Sequence, residues 1–142
     1  MFAVTHFLVG SMLGQAVGNP YAACALGLAS HIVLDAIPHS DYSKIVHGVV
    51  DLAAVATVAC ISIRTAAGRS ALTGGLAAIL PDLEVAIAHL RIEKDKASCK
   101  NKFLFPSHSG FIRHGRLRPP WGIATQIAAI VVVWIVSKGA LM

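Results

Sequence analysis

Acidic side chains set inside apolar sequence are the feature that most restricts what this chain can fold into. Asp35, Asp41, Asp51, Asp82 and Glu84, five of its seven carboxylates, lie within or at the ends of strongly apolar segments, together with most of its seven histidines. An ionised side chain at bilayer depth costs roughly 2.5 to 3.5 kcal/mol on insertion scales, so several are kept only if they pair, face water or bind a cation. The apolar segments are long. No Lys, Arg, Asp or Glu occurs before Asp35, and further apolar stretches follow around 45–63, 70–90 and 121–136, each near the roughly 20 residues that cross hydrocarbon. The 142 residues are 56% hydrophobic and 13% charged with a mean hydropathy of +0.69, outside the usual range of soluble domains. The expected class is all-α, an integral membrane bundle of about five transmembrane helices forming a single domain over residues 1–142.

The N-terminal segment has no basic n-region, and apolar sequence resumes directly after Asn19-Pro20, so it is read as a retained helix and not as a signal peptide. Cys24, Cys60 and Cys99 are odd in number, far apart and without a CxxC pair, which suggests neither a disulfide framework nor a thiolate metal site. Helices are expected at about 2–17, 21–37, 44–63, 71–90 and 121–136. Gly10, Gly14 and Gly18 recur at four-residue spacing in the first, a pattern that admits close approach of a neighbouring membrane helix. Pro38 ends the second, and the polar run His39 to Ser43 offers caps for the third. Pro81 inside the fourth should kink it and free carbonyls close to Asp82 and Glu84.

If all five segments span, nine of the twelve cations fall on the side that holds the N-terminus: Lys44 and eight in the polar, basic loop 91–120. Arg64, Arg69 and Lys138 lie opposite. The positive-inside rule then puts the N-terminus and the 91–120 loop in the cytoplasm, across the inner membrane of a prokaryote. The same alternation brings His6, the pair His31 and Asp35, the pair His47 and Asp51, and Asp82, Glu84 and His89 to that one side. Chain order did not require this agreement. His31 and Asp35, like His47 and Asp51, are four apart and share a helix face; Glu84 points away from Asp82 on a regular helix unless the Pro81 kink turns it inward.

Imidazole and carboxylate donors without thiolate suit a hydrolytic divalent metal, zinc before manganese or iron, with an open position for a water made nucleophilic near neutral pH. Any one such His–Asp pair is more often an interhelical hydrogen bond than a ligand pair. Several on one membrane side favour an ion, because a bound zinc returns about 10 to 16 kcal/mol in structural sites, the size needed to offset their burial. Phe105 to His114 form a second feature. Either they cap the site, with His108 as a further ligand or proton donor and arginines contacting phosphate, or they lie on the membrane surface with their cations against anionic lipid. The second reading is preferred for Lys94 to Lys102.

These residues also carry a resemblance. Thr5-His6, Ser30-His31-Ile32-Val33-Leu34-Asp35-Ala36-Ile37-Pro38-His39-Ser40-Asp41-Tyr42, Asp51, and Ile79-Leu80-Pro81-Asp82 together resemble the predicted membrane-bound metal-dependent hydrolases of bacteria and archaea. That group includes the LexA-regulated inner-membrane hydrolase and is distantly similar to zinc-dependent phospholipase C. The likeness covers roughly residues 1–90. It implies an all-α membrane fold, His6, His31, Asp35 and Asp82 as metal ligands, and phosphoester or lipid-like substrates.

The function expected from residues and resemblance together is a membrane-embedded, phospholipase-like hydrolase with a cytoplasm-facing His/Asp metal site. Asp51 orients a ligand or acts as general base, Glu84 is the other candidate base, and His108 is a catalytic candidate in the loop. His39 and Asp41 border the entrance, or Asp41 caps a helix. Membrane lipid is the expected partner and nucleic acid is not. Two other classes remain open: a proton-path protein using the same residues without metal, and a non-catalytic subunit of a homo-oligomer or larger membrane complex, which the glycine face and an apolar fifth helix would permit.

Overall fold

In the computed structural model, residues 1–42, 44–91, 103–112 and 115–140 are described. Among them the chain is helical throughout: α1 (Ala3–Val17), α2 (Pro20–Ala36), α3 (Ile45–Ser62), α4 (Gly68–Arg91), a single turn α5 (Pro106–Ser109) and α6 (Trp121–Ala140). The five long helices fall where apolar length places them. Their ends are set locally. Gly18 adopts the left-handed conformation, φ 67°, and its N–H donates to the Gly14 carbonyl at 3.1 Å to close α1, as a C-terminal glycine does. The Asn19 side chain accepts from the Tyr21 and Ala22 amides, with Pro20 in the first turn, so α2 starts at once with its free donors satisfied. The third helix differs from expectation at its start: Lys44 stands at the N-cap and supplies no side-chain bond, and Asp41 is used elsewhere.

The centre is a trio of helices whose backbones touch. A Cβ added to Gly10 or Gly27 would collide with the Gly74 carbonyl oxygen, one on Gly14 with that of Ser70, and one on Gly74 with that of Gly10. The partners pair 10 with 74 and 14 with 70, so α1 runs antiparallel to α4. The pairing of 27 with 74 and of His31 with Ala78 makes α2 parallel to α4. Gly18 does not share in this face, having nothing within reach of a Cβ; its role is the turn. The fourth helix continues through Pro81 to Arg91 without interruption.

Two further long helices flank the trio. The fifth long helix, α6, packs along α1, where Ala129, Ile130 and Val133 meet Met1, Val9 and Leu34. The third packs mainly on α1. Both present large apolar side chains outward: Ile45, Val49, Val50 and Ile61 on α3, and Ile127, Val132, Ile135 and Val136 on α6. Apolar surface on that scale is what a lipid-facing helix carries and a water-facing one avoids. Three helices are long and apolar enough to cross a membrane, over Ile45–Ser62, Gly68–Ile87 and Trp121–Gly139. The 15 and 17 residues of α1 and α2 reach about 22 and 25 Å at 1.5 Å per residue, short of the roughly 30 Å hydrocarbon core, so three spans stand on length where five were expected.

The antiparallel arrangement carries the start of α1, the end of α2 and the second half of α4 to one end of the bundle. The starts of α3 and α6 join them, because Asp51 reaches the first amides of α1 and Gln126 reaches Phe2 and Thr5.

Replacing Gly74 by Ala should lower the thermal stability of the detergent-solubilised protein by roughly 1 to 3 kcal/mol, the cost of overpacking a close contact, since the obstructing atoms are backbone on both sides. Gly48, also inside a helix but with open space around its Cβ position, should tolerate Ala or gain up to about 1 kcal/mol from helix propensity. Circular-dichroism melting curves of the two variants beside wild type check both signs.

Candidate metal centre

At that end the three central helices bring His6, His31, Asp35 and Asp82 together, and α5 adds His108. His6 Nε2 lies 3.3 Å from Asp35 Oδ1 and His31 Nε2 lies 3.0 Å from Asp35 Oδ2. His108 Nε2 is 3.6 Å from Asp35 Oδ2 and 3.5 Å from Asp82 Oδ1. Two groups of three offer ligand atoms within 4.8 Å of one another: His6, His31 and Asp82, and His31, Asp35 and His108. Donors at 2.0–2.2 Å from a tetrahedral zinc stand about 3.3–3.6 Å apart, a separation close to the imidazole–carboxylate distances found here. A metal ion could be held here.

The hydrogen-bond inventory points the same way. The His31 Nδ1 faces the Ala78 carbonyl at 2.8 Å. A carbonyl only accepts, so Nδ1 carries a hydrogen and Nε2 is the nitrogen turned to the cluster, the orientation that outer partners impose on metal-binding imidazoles. His6 and His31 are fully buried; the Nε2 of each is set against Asp35, and His6 Nδ1 makes no hydrogen bond. Buried polar atoms are otherwise paired nearly without exception. The His6 and His31 rings stack at 4.2 Å between centroids, and the His108 ring stands across His31 at 88°, so three imidazoles converge on the Asp35 carboxylate. Asp35 is 1% exposed and Asp82 32%, which leaves the Asp82 side as the way in.

The other candidates surround this group. Glu84 does not face the ion position. Its carboxylate accepts from the Leu104 and Phe105 amides at 2.9 and 3.1 Å and from His108 Nδ1 at 3.1 Å. Burial pushes the His108 imidazole down, but its bonds to Asp82 and Glu84 outweigh this and raise it above the ordinary histidine value; Nε2 is therefore where a proton and a cation compete. Asp51 caps α1, accepting from the Ala3 amide at 2.7 Å, from the Val4 amide at 3.3 Å and from the Tyr42 hydroxyl. A carboxylate is favoured at a helix N-terminus. As general bases both Asp51 and Glu84 would have to give up amide partners. His47 is exposed on α3. The side chain of His89, and Lys94 to Lys102, Arg113 and His114, lie outside the described residues.

His39 and Asp41 form a clamp below the cluster. His39 is fully buried, with Nδ1 2.7 Å from the Ile37 carbonyl oxygen and Nε2 3.1 Å from Asp41 Oδ1. Asp41 Oδ2 meets Arg116 Nε at 3.2 Å. Main-chain bonds from His39 N–H to Gly115 and from Leu117 N–H to His39 fasten the two loops as a short parallel bridge. The hydrogen bond to His39 is the main reason the Asp41 carboxyl is held well below the usual carboxylate range.

Gln126 escaped the reading of the sequence. It is 2% exposed, its Oε1 accepts from the Phe2 amide and the Thr5 hydroxyl at 3.0 and 3.1 Å, and its Nε2 donates to the Ser40 and Gly122 carbonyls at 3.1 Å. Its signal was a lone amide among sixteen otherwise apolar or small residues of the fifth segment, where a polar side chain needs partners. Comparison with protein-family models, with characterised proteins and with solved structures finds no match, so the class is defined by geometry: an all-helical protein with membrane-length helices and a buried His/Asp cluster able to hold an ion.

Asp41→Asn should destabilise the protein at neutral pH, with the sign fixed by linkage. A carboxyl whose folded pKa is depressed stabilises above the unfolded value and loses that contribution as pH falls through the folded one. The gap in melting temperature between wild type and variant should therefore stay constant from about pH 8 to pH 5 and close only in stronger acid, measured by circular dichroism.

Proposed function

We propose that the protein is a membrane-embedded, metal-dependent hydrolase acting on a phosphoester or other lipid-like substrate. The observation that carries this reading is the convergence of His6 Nε2 and His31 Nε2 on the buried Asp35 carboxylate at 3.3 and 3.0 Å, with His6 Nδ1 buried and without a hydrogen bond. Burying polar groups that are incompletely paired costs roughly 1 to 3 kcal/mol each, and a cation would satisfy them together. The donors are three imidazoles and two carboxylates without thiolate, which suits zinc first and manganese or iron next.

In this reading His6, His31, Asp35, Asp82 and His108 are the ligands. A bound divalent ion would supply Lewis acidity and a water acidic enough to attack near neutral pH. The chain's own residues do the rest. His31 is aimed by Ala78 and His108 by Glu84. Asp51 and Gln126 fix the first turn of α1 and hence His6. Burial by Phe7, Phe105 and the helix trio keeps bulk water from the His6 side, while the half-open flank at Asp82 admits substrate. The membrane-length helices support a substrate that partitions into lipid, and the excess of cations on the side of the cluster supports a cytoplasm-facing site on the inner membrane that attracts anionic headgroups.

Elemental analysis of the detergent-purified protein after dialysis against metal-free buffer is the test. Near-stoichiometric zinc, manganese or iron is expected in wild type, with loss of at least about nine-tenths in a His31→Ala/Asp35→Ala double variant that keeps its helical circular dichroism. Chelator-sensitive release of phosphate or diglyceride from phosphoester lipids should follow the metal. A well-folded wild type without metal would remove the hydrolase reading and leave the proton-path or subunit classes.

A further inference from the structure

Segment 103–112 carries a ligand to the cluster, and its polar attachment to the helices gathers on one side chain. Three of its donors, the amides of Leu104 and Phe105 and the Nδ1 of His108, end on the Glu84 carboxylate at 2.9–3.1 Å. Its remaining hydrogen bonds are internal: His108 and Ser109 amides to the Phe105 carbonyl, and the Ile112 amide to that of Pro106. Among the described residues no other hydrogen bond joins this segment to a helix. A further polar link is His108 Nε2, facing Asp35 and Asp82 at 3.5–3.6 Å.

Glu84 and Asp82 are two positions apart on α4 and point about 200° apart around a regular helix. The carboxylate that faces the cluster and the one that grips the loop are therefore on different sides of the same turn, and His108 bridges them, one ring nitrogen to each. Because Glu84 accepts, the hydrogen sits on Nδ1 and the lone pair of Nε2 is turned inward. A carboxylate behind a ligating histidine fixes tautomer and orientation and raises the basicity of the ligand.

We infer that Glu84 is a positioning residue that makes His108 a ligand on a separate arm, so that the ion and Glu84 are the two fastenings of segment 103–112 across the site. The inference rests on the metal-site reading. An ion bound by the α1, α2 and α4 residues would be closed over by this arm, and loss of either fastening would weaken both the ion and the order of the segment.

The test uses the full chain in detergent, with zinc(II) affinity measured by chelator competition for wild type, Glu84→Gln, His108→Ala and the double variant, and hydrogen exchange of 103–112 followed with and without zinc. Glu84→Gln should weaken zinc by about 10- to 100-fold, as loss of an outer partner does, and the double variant should be no weaker than His108→Ala because Glu84 acts through that ring. Zinc should slow exchange at Leu104 and Phe105 in wild type and leave it unchanged in His108→Ala. Wild-type affinity in Glu84→Gln, additive losses in the double variant, or zinc-independent exchange in wild type would each overturn the inference while leaving a metal site in place. A wild type that binds no zinc overturns the metal reading itself, and the arm's second fastening with it. Should Glu84→Gln fail to fold, the exchange comparison of wild type with His108→Ala decides the matter alone.

Discussion

Contact between helix backbones at Gly10, Gly14, Gly27 and Gly74 is the constraint from which the rest of the arrangement follows. In lipid there is little hydrophobic force between helices, and close packing through small residues is a principal source of association. Here it does more than hold the trio together. It fixes the axial register of α1, α2 and α4 to within a side chain, and that register places His6, four residues before Gly10, beside His31, four residues after Gly27, and beside Asp82, eight residues after Gly74. One helical turn of slip, about 5.4 Å, would separate donors that now stand 3.0–3.6 Å apart. The glycine face and the polar cluster are thus parts of one device at two heights in the bundle.

Much of this could be read from the residues. Apolar length gave the five long helices, four-residue spacing gave the shared faces of His31 with Asp35 and of Gly10 with Gly14, and alternation of the segments placed His6, His31, Asp35 and Asp82 at one end. These are properties of single helices and of their order. What escaped was contact between stretches far apart in the chain. Arg116 with Asp41, Gln126 with Phe2 and Thr5, and Asp51 with the start of α1 join residues separated by 48 to 124 positions, and nothing local in a sequence encodes such pairs. Gly18 shows the opposite limit: its four-residue spacing matched a packing face, but an adjoining Asn19-Pro20 start signal converts that position into a turn.

The polar residues at the site divide by what satisfies them. Asp51, Glu84, Gln126, Ser40 and His39 bind backbone amides or carbonyls and so fasten chain segments, the use most buried polar side chains serve. The ring nitrogens of His6 and the Nε2 of His31 bind no such group. If the cluster served only to hold helices together, its donors would be expected to find carbonyls as His31 Nδ1 finds Ala78, since the end of α2 and the second half of α4 provide them close by. Instead the Nε2 atoms of His6 and His31 face Asp35.

That division also gives the structural residues a part in assembling the site. A buried group of imidazoles and carboxylates is costly in lipid unless an ion, water or a proton completes it, and during folding nothing completes it until its members meet. The amide-bound residues provide the compensating contacts: the Asp51 cap on α1, the His39–Asp41–Arg116 clamp between loops, and the Gln126 link from α6 draw the same helix ends together without needing the ion. A bundle built this way can assemble without an ion, and Asp82, the more exposed of the two carboxylates in the cluster, is the side from which one could be taken up.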